Sequence, residues 1–371
     1  MRIGFDAKRA FHNHSGLGNY SRTVIRQLAG LYPENQYYLF TPGITTRFPD
    51  FPPAGVSVIE PGNTFDRILP SYWRSFRMGH DISSQKIDLF HGLSNELPRN
   101  IIKYPVKSVV TIHDLIFLRY PHLYKRIDRA FYHSKFLSAT RMADKIIAIS
   151  NQTRSDLISF FNADPGKIEV VYQGCNPVFY EKASPEKKNH VKELYNLPEN
   201  YILYVGTIEE RKNLLQIIKA RQENNIDIPL VVIGRPTKYM ERISDYLTEY
   251  NIKDICFLEQ VSHSDLPPIY QMSSVFVYPS SFEGFGIPIL EALNSGVPVI
   301  AATGSCLEET GGTHSIYINP ENPEEIANAL RQVLTNKELR ESMITEGYKY
   351  AYNFREENTA GKLMEVYERM F

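Results

Sequence analysis

Two rhythms alternate along the chain. Short runs of β-branched and aromatic residues read as buried strands, and between them apolar residues recur at helical spacing. The first run is residues 1–6, MRIGFD. A helix is predicted over 17–31, where Leu17, Tyr20, Val24, Ile25, Leu28 and Leu31 share one face. Further strands are predicted at Gln36–Phe40, Val56–Ile59, Ile87–Phe90, Val106–His113, Lys145–Ile149 and Ile168–Val171, with a helix-rich stretch at 124–142. The pattern then restarts. Tyr201–Val205, Leu230–Ile233, Ile255–Leu258, Val275–Tyr278, Val297–Ala301 and Ser315–Ile318 read as a second set of strands. Helices are predicted over 212–222, 238–250, 323–335 and 337–350, with a closing helix in the last twenty or so residues.

Strands alternating with helices predict parallel sheets covered on both faces. The 371 residues exceed what a single core normally holds, so two doubly wound α/β domains are expected. Asn176–Glu199, charged and carrying three prolines, is the predicted linker. Sheets of this kind bind ligands at the carboxyl ends of their strands. If the two sets of ends face each other, the site lies in the cleft between domains.

Candidate chemistry gathers after the strand VFVY, in Ser280-Ser281-Phe282-Glu283-Gly284-Phe285-Gly286-Ile287-Pro288. Glycines let backbone N–H groups approach a ligand, and Pro288 suits the first turn of a helix. Phe285, Gly286 and Ile287 are expected to present N–H groups at a helix N-terminus, where an anion is favoured. Glu283 precedes that helix and Glu291 lies about one turn inside it, on either side of a bound phosphate. A carboxylate accepts hydrogen bonds from vicinal hydroxyls, so ribose and hexose are natural ligands. Arg211 and Lys212 follow a strand and open a helix. Adjacent cations there suit a diphosphate leaving group.

Gly16 and Gly18 fall in the turn between the first strand and first helix, where glycine allows the backbone to approach a phosphate or acceptor, and both are candidate donor-binding residues. The full dinucleotide pattern G-x-G-x-x-G is absent, because Ser21-Arg22-Thr23 follows, and this argues against a nicotinamide enzyme. No pair of carboxylates stands out for hydrolysis, and no DxD string is present to hold a metal on a diphosphate. His12 and His14 read as loop residues.

With these elements assembled, the chain resembles the retaining glycosyltransferases of family 4, also called group 1, over essentially its whole length. Glu283 to Glu291 looks like the family's ExxxxxxxE signature. Tyr204-Val205-Gly206-Thr207-Ile208-Glu209-Glu210-Arg211-Lys212-Asn213 resembles its G-x-x-x-x-R-K-N element. Ser15-Gly16-Leu17-Gly18 and Thr111-Ile112-His113-Asp114 are similar to two weaker elements. The resemblance implies a GT-B fold: two Rossmann-like domains, 1–180 for the acceptor and 181–352 for the donor, with a helix at about 353–371 returning to the first. It implies Glu291 on the ribose, Glu283 on the transferred sugar, His113 at that sugar's 6-position, and Gly206, Thr207 and Gly284 in the donor site. It implies same-face attack in which the leaving phosphate takes the acceptor's proton, with no metal and no cofactor. The expected reaction moves a hexosyl group from a nucleotide diphosphate sugar to a saccharide or lipid-linked saccharide in polysaccharide or lipopolysaccharide synthesis. Family frequency favours mannose from GDP-mannose. A same-fold sugar-nucleotide epimerase or phosphorylase, or a non-catalytic scaffold keeping the donor pocket, are the alternatives.

Charge adds one further expectation. Net charge is −1, but residues 1–180 hold 22 Lys and Arg against 14 Asp and Glu, and the remainder 19 against 28. The basic half faces an anionic surface, or the two domains attract each other. Within it, Phe65–Met78 (FDRILPSYWRSFRM) interleaves aromatics with Arg67, Arg74 and Arg77, and Lys125, Arg126, Arg129 and Lys135 follow. Such a mixture suits a membrane interface, a diphosphate-linked acceptor, or a core helix with solvated cations. No nucleic-acid motif accompanies it. The N-terminus lacks a signal-peptide core, no apolar run spans a bilayer, and Cys175, Cys256 and Cys306 form no CxxC pair. A cytoplasmic protein, peripheral on the membrane at most, is expected.

Overall fold

Every predicted strand forms. The computed structural model describes residues 1–371. The chain divides into one unit of Met1–Gln173 with Glu356–Phe371 and another of Gly174–Arg355.

In the first unit, β1 (Arg2–Asp6), β2 (Gln36–Phe40), β3 (Ser57–Ile59), β4 (Leu89–Gly92), β5 (Lys107–Ile112), β6 (Lys145–Ala148) and β7 (Ile168–Val170) make a parallel sheet ordered β3-β2-β1-β4-β5-β6-β7. Both faces are buried, which is why the strands read as continuous apolar runs. Ile3, Phe5, Leu89 and Val109 point into one core layer. Phe40, Phe90, Val110 and Ile112 point into the other. The helix Glu356–Glu368 closes the first layer, packing on Gly16–Leu31 with Leu363, Met364 and Tyr367 buried. Tyr367 also joins a buried polar chain. Its hydroxyl meets His91 Nδ1 at 2.5 Å, His91 Nε2 meets Thr111 Oγ1 at 2.8 Å, and Thr111 meets the Tyr20 hydroxyl at 3.0 Å.

The second unit repeats the plan with β8 (Ile202–Val205), β9 (Leu230–Ile233), β10 (Ile255–Leu258), β11 (Val275–Tyr278), β12 (Val299–Ala302) and β13 (Ile316–Ile318), ordered β10-β9-β8-β11-β12-β13. The order reverses between β8 and β11. A crevice opens at such a switch point, because the connections leave in opposite directions. No helix is long and apolar enough to cross a membrane.

Several expectations need correction. The predicted linker is ordered structure of the second unit: a 3-10 turn at Pro177–Tyr180 and the helix Pro185–Leu194, capped by the Ser184 side chain. Two of its three prolines, Pro177 and Pro185, initiate these elements, each at a first-turn position where the missing N–H costs nothing. Gly16 and Gly18 are not in a turn but in the first turn of the helix Gly16–Leu31, because a separate short helix, Lys8–His12, fills the connection from β1. Arg211 and Lys212 sit in a 3-10 turn, Glu210–Lys212. The helix itself begins at Leu214, after Asn213 adopts a left-handed conformation.

Candidate active site

The loops that leave β8 and β11 at the switch point are sewn together. Asn213 Nδ2 donates to the Pro279 carbonyl at 3.0 Å and to Ser281 Oγ at 2.7 Å. The Ser281 N–H donates to the Arg211 carbonyl at 2.9 Å. The left-handed turn at Asn213, a conformation asparagine tolerates, turns its amide toward the partner loop. The two motifs, joined by residues 68 apart in the chain, therefore build one surface.

Glu283 is its centre. Ser280 Oγ donates to Glu283 Oε1 at 2.7 Å and the Tyr278 hydroxyl at 2.9 Å. Arg211 Nη1 lies 3.0 Å and Lys212 Nζ 3.3 Å from the same oxygen. Arg211 is held in turn by the Glu209 carboxylate at 2.6 Å and by the Phe282 carbonyl. Lys212 donates to the Tyr278 hydroxyl at 2.9 Å. The Arg211 and Glu283 side chains are each only 14% exposed. Burial alone raises a carboxyl's pKa. Here Lys212 and Arg211 outweigh it, and the pKa of Glu283 falls to about 2. Glu283 is thus ionised at any physiological pH and too weakly basic to carry a proton in catalysis. Its four partners, Ser280, Tyr278, Arg211 and Lys212, all converge on Oε1.

Backbone geometry fixes where this carboxylate sits. Gly286 has φ +113°, a conformation open to glycine, and a Cβ there would fall 2.7 Å from Leu307 Cδ2. The helix Ile287–Asn294 starts immediately after it, with Pro288 in its first turn as expected. The loop before it is pinned from behind. Thr310 Oγ1 donates to the Phe285 carbonyl at 2.7 Å, and the Cys306 thiol donates to the Glu283 carbonyl at 3.0 Å.

Glu291 does not share the environment of Glu283. It accepts a hydrogen bond from the Tyr270 hydroxyl at 2.9 Å and faces no cation. Burial lifts its pKa to about 7, with the Tyr270 bond pulling the other way. One motif thus carries two glutamates whose affinities for a proton differ widely.

In the first unit, His113 follows β5 and is buried. Its Nε2 lies 2.9 Å from the Leu93 carbonyl, which can only accept, so Nε2 carries the proton. Its backbone N–H donates to Asn95 Oδ1 at 2.8 Å, and its ring stands edge-on to Tyr20 with centroids 4.7 Å apart. Burial lowers its pKa to about 4, leaving a neutral ring whose Nδ1 is an acceptor. A Cβ on Gly18 would lie 1.9 Å from the Asn13 carbonyl oxygen, whereas Gly16 has open space above it. Gly18 is therefore required by the neighbouring turn itself.

Sequence reasoning missed Tyr270, Cys306, Thr310 and Gly234, and it quoted Tyr278, Ser280 and Asn213 within their motifs without a role. Gly234 carried a legible signal, since it closes β9 as Gly206 closes β8. Tyr270, Cys306 and Thr310 carried none, because their value lies in contacts between elements far apart in the chain.

Two doubly wound parallel sheets in one chain, the second bearing a carboxylate held between two cations, are the architecture of the GT-B glycosyltransferases. The match is direct: residues 185–350 fit the model of glycosyl transferases group 1, and residues 14–179 that of glycosyltransferase family 4. The chain belongs to this family, the group 1 glycosyltransferases. It is 27% identical to the O-antigen chain mannosyltransferase B of Escherichia coli, over 99% of this chain and 100% of that protein. It is 25% identical to the O-antigen chain mannosyltransferase RfbU of Salmonella typhimurium, over 71% of this chain and 69% of that one. HepE of Anabaena, solved in complex with UDP and glucose, superposes with a TM-score of 0.76 at 15% identity, covering 100% of both chains.

Proposed function

We propose that this enzyme transfers a mannosyl group from GDP-mannose to a saccharide or lipid-linked saccharide in O-antigen-type polysaccharide synthesis, with retention of configuration and without a metal. The observation that carries the reading is the charge arrangement at Glu283. Arg211 and Lys212 stand together where a diphosphate would leave, and in the resting protein Glu283 and Glu209 balance them. An arriving diphosphate recruits cations already held in place, so little reorganisation is needed as charge develops on the leaving group. Glu283 Oε2 accepts hydroxyls of the sugar. Glu291 accepts the ribose hydroxyls, and the Ile287 helix N-terminus with Gly284, Phe285 and Gly286 faces the phosphates. Gly206 and Thr207 line the same loop surface. The second unit takes the donor and the first the acceptor, with His113 offering neutral Nδ1 to the sugar and Gly16 leaving room for a ligand.

A carboxylate with a pKa near 2 serves poorly as general base. This supports same-face attack, in which the acceptor's proton passes to the departing phosphate oxygen while the glycosidic bond forms and the sugar–phosphate bond breaks. Mannose is supported by the names of both O-antigen relatives.

The test is a thermal-shift panel with UDP, GDP, ADP, CMP and dTDP, followed by transfer assays in EDTA. A ligand at 100 times its Kd adds about 2.7 kcal/mol of stability. GDP is expected to give the largest shift, and NMR of the product to show the donor's anomeric configuration kept. A shift with UDP alone overturns the donor, loss of transfer in EDTA overturns metal independence, and an inverted product overturns retention.

A further inference from the structure

We propose that one face of the first unit, formed by Thr64–Arg77 and the first half of the Arg126–Met142 helix, docks onto a lipid bilayer bearing anionic head groups. Of the fourteen large apolar side chains that the first unit leaves exposed, ten fall within residues 64–78 and 99–135. The Arg126–Met142 helix is 17 residues long, yet only Ala139 and Thr140 are buried. A helix so little covered is normally polar all round. This one displays Ile127, 84% exposed, and Phe131, 55% exposed.

The neighbouring segment is not loosely packed. It turns through a five-residue π-helix, Trp73–Arg77, which points two consecutive residues inward. Trp73 is fully buried and donates to Asp81 at 2.6 Å. Arg74 is buried against Asp6 at 2.5 Å and lies 3.5 Å from Glu96. With those anchors set, Phe65, Ile68, Tyr72 and Phe76 are left outside, with Ile68 at 70% exposure. The two stretches form one surface. Phe65 stands on Tyr72 and Tyr72 on Phe76. The Arg99 guanidinium covers Phe76 and reaches Ser134 of the long helix at 3.5 Å.

Charge selects the occupant. Residues 64–78 and 99–135 hold eleven Lys and Arg, three Asp and no Glu. The rest of residues 1–180 holds eleven of each sign. The basic excess of that half therefore lies in the same two segments as most of its exposed apolar side chains, with Arg74 turned inward to Asp6 and Arg119 paired with Asp156. Anionic lipid rewards both properties together: cations at the head groups and apolar tips among the acyl chains. Nucleic acid would reward the cations and aromatics, but the most exposed side chains here, Ile127 and Ile68, are aliphatic and have no ring to stack. The inference is independent of donor identity.

The experiment is co-sedimentation of the full chain, without donor, with phosphatidylcholine vesicles and with vesicles also containing phosphatidylglycerol. Binding is expected to the anionic vesicles, falling steeply with salt. Replacing the two most exposed residues, in I68S/I127S, is expected to weaken it roughly tenfold. That variant keeps its thermal midpoint and its stabilisation by nucleotide diphosphate, because neither side chain enters the core. A second variant, K125Q/R126Q, is expected to lose binding to anionic vesicles selectively. No pelleting with anionic vesicles overturns the proposal, as does undiminished binding by I68S/I127S. So does a dimer, or a nucleic-acid complex, that I68S/I127S disperses when vesicles are not bound.

Discussion

Gly234 packs so tightly against Gly206 that a methyl group on it would lie 1.9 Å from the Gly206 carbonyl oxygen. The contact joins the ends of β8 and β9 and sets the turn that delivers Lys212, whose Nζ would lie 3.1 Å from a Cβ on Gly206. Gly234→Ala is therefore expected to cost about 1–3 kcal/mol in urea denaturation, with β8 and β9 forced apart. Nucleotide diphosphate binding should weaken more than this variant's fold does. Stability lost with binding intact would show the turn to be plastic.

Glu283 neutralises part of the positive charge that the leaving group needs. Glu283→Gln is expected to lower kcat by about 10²–10³-fold, the usual scale for one preorganised electrostatic contact. The same change should leave the Kd for nucleotide diphosphate unchanged or lower, since a competing anion has gone. Isothermal titration beside steady-state kinetics separates the two effects, and a parallel loss of binding would contradict the arrangement.

Acid should expose the same interaction. Its folded pKa of about 2 lies below the ordinary 4.5, so Glu283 stabilises the fold fully above pH 4.5. That contribution is lost as pH falls through the folded value. Wild type is expected to lose stability faster than Glu283→Gln between pH 4.5 and 2, measured by thermal unfolding.

Glu291 should respond in a different window. Its pKa near 7 means that the pocket is half protonated at neutral pH. The ionised form accepts two hydroxyl hydrogen bonds, and the protonated form spends one oxygen as a donor. Nucleotide diphosphate affinity is expected to rise from pH 6 to 8. Glu291→Gln should flatten that rise and bind like the low-pH wild type.

Thr310 acts through the loop it holds. Thr310→Val keeps the side-chain shape but removes the hydroxyl that donates to the Phe285 carbonyl. A cost of about 1–3 kcal/mol is expected, with kcat falling more than KM rises. Thr310→Ser should restore kcat, because the hydroxyl returns.

The fold was legible because parallel strands buried on both faces leave unmistakable apolar runs, as VVIG and VFVY do. The misreadings came where side-chain chemistry overrides composition. Asn176–Glu199 reads as a linker from its charge and prolines, yet Pro177 and Pro185 start a turn and a helix. The sequence places Glu283 and Glu291 on either side of one bound phosphate. Only packing reveals that one meets two cations and the other a tyrosine hydroxyl. Nothing in the local sequence of Cys306 or Thr310 points to a loop more than twenty residues away.

The helix Glu356–Glu368 has a consequence for synthesis on the ribosome. The first unit is drawn from Met1–Gln173 and Glu356–Phe371, so its opening residues emerge before the partner of His91 exists. At ~5–20 residues per second, translating the intervening Gly174–Arg355 takes roughly 10–40 s. Throughout that interval the apolar floor destined for Leu363, Met364 and Tyr367 stands open on a nascent chain. Chaperone dependence during translation, and premature termination before residue 356, should therefore harm this protein more than the stability of its finished core suggests.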